Sequence, residues 1–137
     1  MNILVINCGS STIKFQLVFT NKELISLDTD DFILRGMIEG IGGHCLASFE
    51  IRDKPTFRDA LPIKDHKEAL EYILQQVFMQ LNMNCKIEAV GHRVVHGANK
   101  FSQSVLIDAK VIQGISDCIE LAPLHNCSNL KGILAIQ

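Results

Sequence analysis

The sequence predicts an α/β or α+β domain built on a mixed β-sheet, and three features of its patterning carry that expectation. Strand-like segments follow one another through residue 61, and strand and helix then alternate to the end. Between Asp65 and Leu81 an apolar stripe at helical spacing supplies a face suited to covering a sheet.

Asn2 to Cys8 (NILVINC) is a nearly continuous aliphatic run, as in a strand covered on both faces. Gly9-Ser10-Ser11 is a turn signal, and Thr12 to Phe19 (TIKFQLVF) alternates, with Thr12, Lys14 and Gln16 on one side and Ile13, Phe15 and Leu17 on the other. Together these make a hairpin with a hydroxyl-rich tip. Asn21-Lys22-Glu23 reads as a second turn and Leu24 to Leu27 as a weak strand. Further strands are expected over 32–41, 45–52 and 56–61, separated by Gly42-Gly43 and Asp53-Lys54-Pro55. Asp65 and Glu68 have the spacing of a capping box, and Leu70, Ile73, Leu74, Val77, Phe78 and Leu81 form the stripe that covers the sheet. Ile87 to His96 returns to strand character and ends at Gly97. Asp108 caps a short helix through Ser116 with Val111, Ile112 and Ile115 inward, Leu121 to Asn126 reads as a loop around Pro123, and Ser128 caps a last helix over 130–136.

The chain of 137 residues has the size of one domain, spanning 1–137. With 47% hydrophobic and 20% charged side chains it can bury a core, which excludes a disordered chain. A net charge of −2 offers no basic field for a phosphodiester backbone, so nucleic-acid binding by net charge is not expected. No apolar run approaches the ~18 residues of a membrane span, and the opening residues lack the basic segment of a secretory signal. The five cysteines form no CxxC pair, consistent with free thiols in a reducing cytoplasm. A zinc site from Cys118, His125 and Cys127 with His92 or His96 matches no ribbon or finger spacing.

Three segments could carry chemistry. In Asn7-Cys8-Gly9-Ser10-Ser11-Thr12-Ile13-Lys14, a tight turn of small residues can aim backbone N–H groups at an anion, and Ser10, Ser11 and Thr12 add hydroxyls. Lys14 shares a strand face with Thr12 and supplies a point charge, while the Asn7 carboxamide could meet a phosphate or a metal's water. A plain serine-tipped hairpin has the same pattern. In Gly91-His92-Arg93-Val94-Val95-His96-Gly97, Arg93 and Val95 on one strand face suit a small carboxylate with an alkyl tail, the guanidinium pairing its oxygens and the valine packing its methyl. An edge strand with a surface ion pair reads the same way. In Leu121-Ala122-Pro123-Leu124-His125-Asn126, His125 close to a helix start could help hold a transferring phosphoryl group, and Leu124 could wall a small pocket. A proline-kinked loop around a buried histidine is the alternative.

Taken together, NCGSSTIKFQL, GHRVVHG and LAPLHN resemble the acetate kinase family in motif, order and separation, over Asn7 to Asn126. The resemblance implies an actin-like, sugar-kinase-like (ribonuclease H-like) ATPase fold, a mixed sheet flanked by helices, and transfer of a phosphoryl group from ATP to acetate with Mg²⁺. It implies that Asn7 lies at the metal and phosphate end of the nucleotide and that Ser10, Thr12 and Lys14 line the phosphate path. Arg93 would bind the substrate carboxylate, Val95 and Leu124 would shape the methyl pocket, and His125 would sit by the transferred phosphoryl. Propionate or butyrate could replace acetate. It further implies a cytoplasmic enzyme, homodimeric at full length.

Two departures bear on these expectations. Thr12 stands where the family commonly has serine, which keeps the hydroxyl, and Ala98-Asn99 replaces the usual Gly-Glu, which removes an acid near the cleft. The chain is also about one domain long, where the family has two. It is therefore expected to be an N-terminal acyl-kinase domain without the C-terminal nucleotide domain, inactive alone and prone to self-association. A non-catalytic module that binds phosphate or another chain is the competing reading.

Overall fold

The computed structural model describes residues 1–81, 86–95, 97 and 100–137, and the backbone alone of Leu124. The readings placed on Cys85, His96 and Ala98-Asn99, and on the Leu124 side chain, lie outside the described residues.

Among the described residues six strands form one mixed sheet: β1 (Asn2–Cys8), β2 (Thr12–Phe19), β3 (Asp31–Glu39), β4 (Cys45–Ile51), β5 (Phe57–Leu61) and β6 (Ala89–His92), in the order β5-β4-β3-β2-β1-β6. The first five are joined as antiparallel neighbours, and β6 runs parallel to β1 with Ile6 opposite His92. Period-2 alternation decides which side chains are buried. Leu4, Ile6 and Cys8 of β1 and Ile13, Phe15 and Leu17 of β2 enter the core with Leu34, Ile38, Ala47 and Phe49, whereas Val5 between them is exposed. The aliphatic run at the N-terminus is thus covered on one face and not on both.

The cover is helical. α2 (His66–Gln80) lays Ala69, Leu70, Ile73 and Val77 on β2 and β3. α4 (Pro123–Ile136) packs on β1 and β6 and against α2. Asp65 caps α2 by accepting from Glu68 N–H at 2.9 Å, and Glu68 returns a carboxylate oxygen to Lys64 N–H at 2.8 Å, one residue earlier than in the usual box. Phe78, placed in the sequence stripe, is 56% exposed. α3 (Ala109–Asp117) has the expected Asp108 cap, with Val111 N–H donating at 2.8 Å, and rests on α4.

Three expectations change. The segment read as a weak strand at 24–27 is a short helix, α1 (Lys22–Leu27), because the Asn21 side chain accepts from Leu24 N–H and nucleates a turn with no buried residue. The loop around Pro123 is instead the first turn of α4: proline at the first helical position has the right φ and no N–H to lose, so Ser128 lies inside the helix, buried. Of the strand expected over 87–96, the described residues form β6 over 89–92, and beyond it the Asn129 side chain of α4 takes both the Val95 N–H and the Cys8 O that a longer ladder would have joined. No helix of the described residues is long and apolar enough to cross a membrane.

Candidate functional site

The site is built at the end of the sheet where β1 stops. Gly9 N–H donates to Thr12 O at 2.7 Å, which closes the turn between β1 and β2 and leaves Ser10 and Ser11 exposed at its tip. Asn7 stands directly across from Lys14 in the antiparallel pair, so both side chains lie on the same face, opposite to the buried Cys8 and Ile13. On the other side of β1, Arg93 N–H donates to Ile6 O at 3.0 Å, which continues the parallel ladder one residue past His92. Alternation then puts Arg93 on the Asn7 face, exposed, while His92 turns toward α4.

Lys14, Asn7 and Arg93 therefore form a row across three adjacent strands on the face that α2 and α4 leave open. Two inter-strand spacings separate the end members, roughly 10 Å between their backbones. Thr12 joins this face opposite Glu39 of β3.

His125 occupies the first turn of α4, four residues before Asn129, and is exposed. Asn129 is buried and grips the strand ends: its Nδ2 donates to Cys8 O at 2.6 Å and its Oδ1 accepts from Val95 N–H at 3.0 Å. His125 is thereby held one helical turn beyond those ends. Val95 lies past the paired part of β6, with a 47% exposed side chain, so its place beside Arg93 comes from Asn129 and not from strand alternation. Beyond β6 a cleft of ≈ 920 Å³ runs between the strand, the 101–107 segment, α3 and α4, with Arg93 among its lining residues.

Burial sets the titration of two neighbours of the row. The Cys8 thiol, 3% exposed, is pushed up to about 11, which keeps it protonated and unreactive. His92 is pushed below the usual histidine value because its cation would be desolvated between sheet and helix. Among the described residues, which leave out the His96 weighed for zinc, no group of three or more His, Cys, Asp and Glu side chains could hold a metal ion.

Two further residues escaped the sequence reading. His66, at the first position of α2, points Nε2 at Gly9 O, 2.7 Å away. Asn129 lay between Ser128, read as a cap, and the helix expected over 130–136, and its partners are 34 and 121 residues distant.

The chain was compared with known proteins. A model described as the acetokinase family matches residues 2–137. An acetate kinase of Solibacter usitatus is 43% identical over 143 residues, covering 100% of this chain and 34% of that protein. Among solved structures, the Porphyromonas gingivalis acetate kinase superposes with a TM-score of 0.86 at 36% identity, over 98% of this chain and 33% of that one. A propionate kinase from Francisella tularensis gives 0.85 at 36% identity, over 99% and 33%. The chain spans about a third of the length of these relatives.

Proposed function

The chain belongs to the acetokinase family, and from that membership we propose that it is the N-terminal part of an ATP-dependent acetate kinase, which moves the γ-phosphoryl group of ATP onto acetate to give ADP and acetyl phosphate. The observation that carries the reading is the row of Lys14, Asn7 and Arg93 on one open face, ending at the serine turn.

In the proposed reaction a carboxylate oxygen of acetate attacks the γ-phosphorus in line, the new O–P bond forms as the bond to the bridging β-γ oxygen breaks, and ADP leaves with that oxygen. The nucleophile is already an anion at neutral pH, so no base has to remove a proton. Positioning and charge neutralisation remain for the protein to supply. Arg93 pairs the carboxylate oxygens, and Val95 walls the methyl group. Lys14 and the donors of Ser10 and Thr12 take the phosphate oxygens, and His125 stands by the phosphoryl in flight. Asn7, Thr12 and Glu39 bring only oxygen ligands to this end of the sheet, and they sit on three different strands. That set fits Mg²⁺ arriving on the nucleotide's phosphates with much of its water, not one caged by the protein. Bound there, the cation would neutralise phosphate charge.

Lys14 and Arg93 are the two cations in the row, fewer than a phosphoryl transition state needs. The 137-residue chain by itself is thus proposed not to turn over, with the longer enzyme cytoplasmic and homodimeric. The test is acetyl phosphate formation by the isolated chain, together with Mg-ATP and acetate titrations of wild type, Lys14→Ala and Arg93→Ala. No turnover is expected. Lys14→Ala is expected to weaken nucleotide binding, and Arg93→Ala acetate binding, each on the order of tenfold. Unchanged affinities in both variants would reject the assignment. The likeness to a propionate kinase makes propionate the second candidate acceptor, and competition between acetate and propionate at Arg93 separates the two.

A further inference from the structure

The peptide carbonyls that flank the serine turn are held from behind. Asn129 Nδ2 donates to Cys8 O at 2.6 Å and His66 Nε2 to Gly9 O at 2.7 Å, while Ile41 N–H takes Ser11 O at 3.0 Å and Gly9 N–H takes Thr12 O at 2.7 Å. A carbonyl oxygen only accepts, so the His66 ring carries its proton on Nε2. The last two bonds are backbone pairings of a β-rich fold. The first two come from side chains on two separate helices, α2 and α4, and meet consecutive carbonyls of the same turn.

Peptide planarity gives these contacts a direction. In a trans peptide the C=O and the following N–H point to opposite sides. Holding Gly9 O on His66, in the helix layer, turns the Ser10 N–H away from that layer. Holding Cys8 O on Asn129 likewise aims the Gly9 N–H at Thr12 O and closes the turn. The Gly9 N–H is thereby spent on Thr12 O, and the Ser10 N–H is the amide left to hold an anion.

We propose that His66 and Asn129 are positioning residues, His66 orienting the Ser10 amide toward phosphate and Asn129 holding the turn closed, and that Asn129, through Val95 N–H, also fixes the Arg93 segment against the same turn. This deepens the phosphate reading above and rests on it. One buried carboxamide then sets the separation between the phosphate end and the carboxylate end of the row. Donors aligned before the ligand arrives need no reorganisation when charge develops.

The test uses the 137-residue chain as wild type, His66→Leu, His66→Gln and Asn129→Ala, with Mg²⁺ and inorganic tripolyphosphate as the probe. The Gln amide nitrogen can reach where the imidazole Nε2 stands, so it restores the donor without the ring. His66→Leu is expected to displace the Ser10 amide resonance and weaken tripolyphosphate binding about fivefold, and His66→Gln to return both to within about twofold of wild type. Acetate affinity is expected to stay unchanged in the His66 variants and to fall in Asn129→Ala. A His66→Leu chain with wild-type Ser10 resonance and wild-type tripolyphosphate affinity overturns the proposal, even if Asn129→Ala fails to fold. If the wild-type chain does not bind tripolyphosphate, yet the Ser10 amide moves in His66→Leu and returns in His66→Gln, the orienting role stands and the phosphate reading falls.

Discussion

His92 and Arg93 are chain neighbours in opposite surroundings, and the contrast has a measurable consequence. Arg93 is exposed, while His92 is pressed toward α4, where its cation is disfavoured. A histidine whose folded-state value is depressed takes up its proton first in the unfolded chain, so its contribution to stability is complete above about 6.5 and is lost as pH falls below that. Denaturant midpoints are expected to drop between pH 7.5 and 5.5, by at most the effect of one proton, about 1.4 kcal/mol per pH unit. His92→Gln is expected to flatten the slope, and an unchanged slope would contradict the burial argument. At the other end of the scale, the Cys8 thiol, pushed up to about 11, contributes stability that is whole below about 9 and is lost as pH rises from there toward 11. Alternation along one strand made it legible that Lys14 shares a face with Thr12, whereas the row of Lys14, Asn7 and Arg93 needed the pairing of three strands and was not read from the sequence. His66 and Asn129 were not legible either, because their partners are backbone carbonyls 57 and 121 residues away, and no local pattern encodes such a meeting.

At the scale of elements, periodicity was a good guide where packing and propensity agree. The hairpin, the capped α2 and the Asp108 cap of α3 all formed where expected. It failed where a cap or a single neighbour decides. Asn21 converts the Leu24–Leu27 segment into a helical turn, Pro123 opens α4 instead of a loop, and past Arg93 the Asn129 carboxamide takes the Val95 N–H and Cys8 O that would have carried the β1–β6 ladder on. The junction of α4 with β1 depends on Gly132: a Cβ there would be driven into Cys8 Sγ and would lie 3.2 Å from Cys8 Cβ. Gly132→Ala is expected to destabilise the chain by about 1–3 kcal/mol through overpacking. Cys8→Ala should relieve part of that cost, so a double-mutant cycle should show coupling of about 0.5 kcal/mol or more. Purely additive effects would mean that the helix does not approach the strand so closely. Asp65→Ala should cost about 0.5–2 kcal/mol by freeing the Glu68 N–H at the start of α2.

For the molecule as a whole, the sheet carries its helices on one face and its row of polar and charged site residues on the other. Apolar surface also remains outside: Leu106 is 95% exposed and Met79 70%, Phe78 and Leu134 are more than half exposed, and the cleft beside β6 lies against a strand with a partner on one side only. Such surface, with an open strand edge, favours association. Sedimentation velocity is expected to show mass rising with concentration, and a tight monomer throughout would count against it. The fold class was readable because five of the strands are local antiparallel neighbours. The meeting of β1 with β6 spans some 86 residues and emerged only in three dimensions.

The most direct test of the central claim, that the serine turn and Arg93 face one ligand groove, is a backbone amide NMR titration of the chain with Mg-ATP and then with acetate. Mg-ATP is expected to perturb Gly9 through Lys14, and acetate to perturb Arg93 through Val95. Perturbations confined to the helix-covered face, or none at millimolar ligand, would contradict it.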